Sequence, residues 1–141
     1  MKFLKPFMFL LVAGLLFSAC TSDLTKILPK NDGMWDVTFT STTRSYQVSN
    51  DSLIDEETDM ESGTMDFRDN GTGTLTSSGD SSVFTWSYNA DREEMTIVED
   101  SATIVFDVLE SSNKSQRWEF FEEFEFFGVR NEWTIEANLS R

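Results

Sequence analysis

The chain has 141 residues, no histidine and a single cysteine, and sets 25 acidic residues against 11 basic ones for a net charge of −14. That sign repels phosphates, which excludes nucleic-acid binding and disfavours peripheral attraction to anionic membranes. With no histidine and only Cys20, the chain cannot assemble an intrachain disulfide, a Cys-His pair or a Ser-His-Asp triad, while its 13% aromatic content argues for a packed core over disorder.

Lys2 and Lys5 give the N-terminus a positive start, and an apolar run over 7–17 follows. The run is too short to span a bilayer and suits the core of a signal peptide. Phe17-Ser-Ala-Cys20 resembles a bacterial lipobox. That resemblance implies a lipoprotein signal peptide over 1–19, diacylation of Cys20, and membrane attachment through acyl chains rather than a helix. An ordinary secretory signal with an incidental cysteine is the alternative. Thr21 after the cysteine, with Asp only at 23, points by resemblance to sorting signals toward the outer membrane. Without the leader, nine cations face 25 acids, a net of −16. Residues 20–32 read as the lipidated cysteine and a tether, in which 23–28 has room for one helical turn before Pro29 stops it.

The domain is expected over 33–141, opening with a strand over 34–40 that puts Trp35, Val37 and Phe39 on one face. Tyr46 and Val48 belong either to a brief strand or to an extension of the first. Residues 51–61, with Asp51, Asp55, Glu56, Glu57, Asp59 and Glu61, read as a long acidic connection of a length that is usually functional or disordered. Their oxygens would suit calcium, but they lack the EF-hand spacing and its central glycine. A meander follows: strands over 63–68, 72–77 and 82–88, turned by Asn70-Gly71 and by Ser78-Gly79. Phe84, Trp86 and Tyr88 share a face of the third.

Further strands are expected over 94–99, 102–110, 116–121 and 132–139, with Ile104, Phe106 and Val108 on one face and Trp133, Ile135, Ala137 and Leu139 on another. Residues 118–127 mix aromatics with glutamates. As a strand they align Trp118, Phe120, Phe124 and Phe126, with Glu122 the misfit; as a helix they align Phe120, Phe124 and Phe127. Aromatic content favours strand or hairpin. Five phenylalanines in eight positions cannot all point inward, so some lie at a rim or interface unless they cap the barrel. The count is eight strands, enough for a closed antiparallel up-and-down barrel whose interior is filled or holds one small ligand.

Gly33-Met-Trp35 at the opening strand is similar to the Gly-x-Trp signature of lipocalins. Together with the lipobox, Phe67-Arg-Asp-Asn-Gly-Thr72 and Trp86-Ser-Tyr88, it resembles small lipocalin-like lipoproteins of the Bacteroidetes type. The resemblance implies a lipocalin-like barrel with its first connection, 51–61, folded over the open mouth as a lid, and with Trp35 packed at its closed end under an arginine, Arg130 or Arg141.

Carboxylate pairs arise everywhere in so acidic a chain, and no glycine-rich loop opens a helix, so a binding protein without cofactor or metal is expected rather than an enzyme. Strand parity and aromatic size nominate Phe84, Trp86, Tyr88, Phe106 and Trp118 for a cavity binding a small apolar or amphipathic ligand; in a filled barrel the same residues form a dry core. The alternative function is an acidic interaction protein with no small ligand, which captures a cationic protein or peptide or serves as an accessory subunit of an outer-membrane complex, with 51–61 and 120–127 as its contact surfaces.

Overall fold

The computed structural model describes residues 23–141; the signal peptide expected over 1–19 and Cys20 lie outside them. Eight antiparallel strands close into a barrel in chain order. They are β1 (Met34–Gln47), β2 (Ser52–Phe67), β3 (Thr72–Ser77), β4 (Asp80–Asn89), β5 (Glu94–Glu99), β6 (Ala102–Ser111), β7 (Ser115–Phe126) and β8 (Val129–Ser140). β1 pairs with β8, which closes the ring and leaves no edge in the lower wall. This is the expected all-β, up-and-down architecture.

One pole is plugged by the helical turn α1 (Leu24–Ile27), capped by the Asp23 carboxylate accepting from the Thr25 N–H. Leu24, Ile27 and Leu28 stand at the spacing of one helical face and are buried. They cover Trp35, whose Nε1 donates to the Leu28 carbonyl at 3.0 Å. The tether expected over 20–32 is therefore packed structure from Leu24 onward, because those three apolar side chains close the barrel floor. Gly33 makes the next step possible. Its φ is +71°, and a Cβ there would sit 2.1 Å from the Phe67 carbonyl oxygen.

Above this floor, inward residues from every strand alternate with outward polar ones. The lower half is dry. Phe67, at 1% exposure, meets the rings of Phe84, Trp86 and Trp118 edge-on at 5.4, 5.5 and 6.0 Å, a favoured aromatic geometry.

The largest departure from the sequence reading is the acidic segment 51–61. It is no lid but the first two-thirds of β2, and its connection to β1 is the short turn after Gln47. β1 itself runs on to Gln47, taking in Tyr46. Residue by residue, the acidic strand faces Ser and Thr of β1: Asp59 opposite Ser41, Thr58 opposite Thr42, Glu57 opposite Thr43. Glu56 lies opposite Arg44 and forms an ion pair with it. These residues hide their strand character because both faces of this part of the sheet meet water, so no apolar alternation is required.

The aromatic segment is strand as well, not helix. β7 continues to Phe126 and turns into β8 through Phe127 and Gly128, both at positive φ as a two-residue hairpin demands. β7 pairs with β6 only up to Glu119, and β2 pairs with β3 only from Gly63. Beyond those points β2, β1, β8 and β7 continue alone as a four-stranded wall that rises on one side of the mouth. The two tall hairpins join at their tips, where the Val48 N–H donates to the Gly128 carbonyl at 3.0 Å. The opposite side ends at the tight turns after Ser77 and Glu99.

Candidate ligand-binding cavity

The upper half of the barrel is hollow, with a cavity of about 580 Å³ opening at the pole away from α1, within the usual range for a small-molecule site. Its depth comes from the arrangement just below it. Gly73 lacks the side chain that would block Phe84: a Cβ there would lie 2.2 Å from the ring. The Phe84 ring thus crosses β3 and lies over Phe67 to form part of the cavity floor.

Of the five aromatics nominated from strand parity, Phe84, Phe106 and Trp118 line this space. Trp86 and Tyr88 do not. Two and four residues further along β4, they face the same interior but at the closed pole. The Trp86 indole donates to the Thr72 carbonyl at 3.1 Å, and its backbone N–H to the Gly71 carbonyl at 2.8 Å. Trp86 is thus buried in the core. Burial, with Glu93 and Asp23 nearby, raises the Tyr88 phenol above its ordinary pKa. Parity correctly sorted inside from outside for all five, but it carries no information on height along the barrel axis.

The sequence reading named no aliphatic lining residues, yet Met65, Leu75, Ile97, Ile104 and Ile135 complete the apolar wall. Each sits at an inward position of its strand, so alternation would have found them. Trp133 lines the cavity too and donates from Nε1 to the Ser41 hydroxyl at 2.9 Å, a polar pair between neighbouring strands β8 and β1. Trp118 differs. At 1% exposure, its indole N–H is buried and meets no acceptor among the described residues.

The rim is acidic. Asp59 and Glu61 from β2 and Glu99 from β5 line the cavity along with the apolar residues. Glu61 accepts a hydrogen bond from the Ser77 hydroxyl. On one flank the wall is split, since β6 from Ala102 to Phe106 bonds to β5 but not to β7. The mouth therefore extends down one side toward Phe106.

At the closed pole the arginine over Trp35 is Arg141, not Arg130. Its guanidinium lies 4.1 Å from the Trp35 ring centroid. Arg130 is far from that indole, on the outer face of the tall wall, stacked on Tyr46 and paired with Asp51.

No protein-family model, curated protein or solved structure matches the chain. Fold and cavity together define an up-and-down β-barrel, closed at one pole and open at the other, with a geometry compatible with binding a ligand.

Proposed function

We propose that the protein is a lipocalin-like binding protein of the bacterial cell envelope, anchored through acyl chains on Cys20 and carrying a small apolar or amphipathic molecule in its barrel. The observation that carries this reading is the 580 Å³ apolar cavity above an independently packed floor. A barrel needing only stability would fill that volume, since each unfilled space loses packing contacts. Trp35 under Arg141 adds support for the lipocalin likeness, and the leader with its single cysteine supports the anchor and an outer-membrane location. The role is binding rather than catalysis.

Native mass spectrometry of the protein purified from a bacterial host tests the carrier reading. The expected result is a reproducible extra mass of a few hundred daltons that denaturation removes. A bare mass that lipid extract leaves unchanged would overturn it. Incorporation of a radiolabelled fatty acid, abolished by Cys20→Ser, tests the anchor.

A second reading is favoured by the tall wall. Among the described residues its β2 and β7 edges have no strand partner there, and Phe121, Phe124, Phe126 and Phe127 are exposed beside them. In that reading the protein is an interaction module, and the wall is its contact surface for a protein or peptide.

A further inference from the structure

The charge at the cavity mouth has no counterpart inside the barrel. On β2 the inward positions are Glu61, Asp59, Glu57 and Asp55, each opposite an inward residue of β1 from Phe39 to Ser45. Asp59, Glu61 and Glu99 reach the cavity lining itself. Some outward carboxylates do have a cation, Glu56 with Arg44, Glu110 with Arg117, and Glu123 and Glu132 with Arg130, whereas Glu119 and Glu136, opposite each other on β7 and β8, have none among the described residues. Among the described residues no lysine or arginine forms an ion pair with Asp55, Glu57, Asp59, Glu61 or Glu99. Residues two apart on one face of a strand stand roughly 7 Å from each other, within the screening length of physiological salt, so these carboxylates repel.

Inward charges on an open edge strand protect against edge-to-edge pairing, and that would account for β2. It does not account for Glu99. β5 is bonded on both sides, with Glu99 opposite Phe84 on one and Ala102 on the other, so no edge exists there to protect. Glu99 nevertheless faces the same opening.

We propose that the cavity takes an amphipathic cation: an apolar body that fills the space over Phe84 and Phe106, and a protonated amine held at the mouth by Asp59, Glu61 and Glu99. This inference rests on the reading of the cavity as a small-ligand site. Binding such a molecule relieves the repulsion at the rim, while a fatty acid of the same length would add to it. The mouth's negative potential also draws cations toward the opening before contact.

The test compares octylammonium, 1-octanol and octanoate by titration calorimetry against the purified protein, in low and in physiological salt. Octylammonium is expected to bind about tenfold tighter than octanol at low salt, with octanoate weakest and the advantage shrinking as salt rises. In the Asp59→Asn, Glu61→Gln, Glu99→Gln triple variant, octylammonium should lose its advantage over octanol. Octanol bound as tightly as octylammonium, or octanoate bound tightest, overturns this inference alone. So does a triple variant that retains the preference. No binding of any of the three, together with a bare native mass, overturns the cavity reading as well. The wild-type comparison decides the matter even if the triple variant fails to fold.

Discussion

Arg141 closes the barrel floor by covering Trp35, 4.1 Å from the ring centroid, while its guanidinium also donates to the carbonyls of Ile27, Lys30 and Asn113. One side chain at the C-terminus thus ties α1, the turn after it and the β6–β7 connection to the indole at the start of β1. Arg141→Ala removes a cation over an aromatic face and strips three carbonyls of a charged donor. Urea unfolding is expected to show a loss of about 2–3 kcal/mol. Arg130→Ala, on the exposed face of the tall wall, should cost under about 1 kcal/mol. Equal losses would mean that Arg141 does not hold the floor.

The division of the interior into dry floor and hollow top predicts opposite behaviour for two substitutions. Trp86→Ala deletes a core side chain at the closed pole and should cost about 3–5 kcal/mol. Its folded fraction should still bind octanol as wild type does. Ile97→Trp, at the cavity wall, should abolish binding with little change in the unfolding midpoint. Loss of binding in folded Trp86→Ala would mean that the hollow reaches the closed pole.

Tyr88 gives the barrel an alkaline signature. Burial holds its phenol above the ordinary value, so the folded state retains a proton that the unfolded chain releases from about pH 10 upward. Between the unfolded and folded pKa values the folded state binds more protons, and stability falls as pH rises; below pH 10 the full contribution is present. Tyr88→Phe should flatten that alkaline decline, as read by thermal melts across pH 9–12. An unchanged slope would place the titration elsewhere.

Phe126 and Phe127 crown the β7–β8 hairpin, with Phe127 91% exposed. Replacing both by serine should leave stability within about 0.5 kcal/mol, because neither packs in the core. Retention on a phenyl matrix should drop. If the tall wall is a contact surface, salt-insensitive partner binding should go with it; a large fall in stability would instead make the pair structural.

Most of the barrel was legible because the strands around its core and cavity obey one rule. Trp133, Ile135, Ala137 and Leu139 alternate without a break, and the Asn70-Gly71 and Ser78-Gly79 turns fix where neighbouring strands reverse. The tall wall follows a different rule. Between Asp55 and Glu61 both faces are wet, so β2 shows no pattern and its strand character depends on pairing with Thr42, Thr43 and Arg44, far away in sequence. The misfit Glu122 belongs to the same wet region, three positions beyond Glu119, where β7 parts from β6. For the cavity, parity correctly aimed Trp86 and Tyr88 inward, but only the three-dimensional stagger of the strands decides which inward residues meet a packed floor and which meet open space.

The three described lysines, Lys26, Lys30 and Lys114, all lie at the closed pole beside Arg141, while unpaired carboxylates ring the mouth. The described lysines are therefore gathered at the base, away from the opening. Residues 20–22 span at most about 11 Å when fully extended. An anchor on Cys20 would hold the base close to the bilayer and leave little slack for tumbling. The cavity would then face the aqueous space, and its cargo would arrive from water rather than from the lipid beneath.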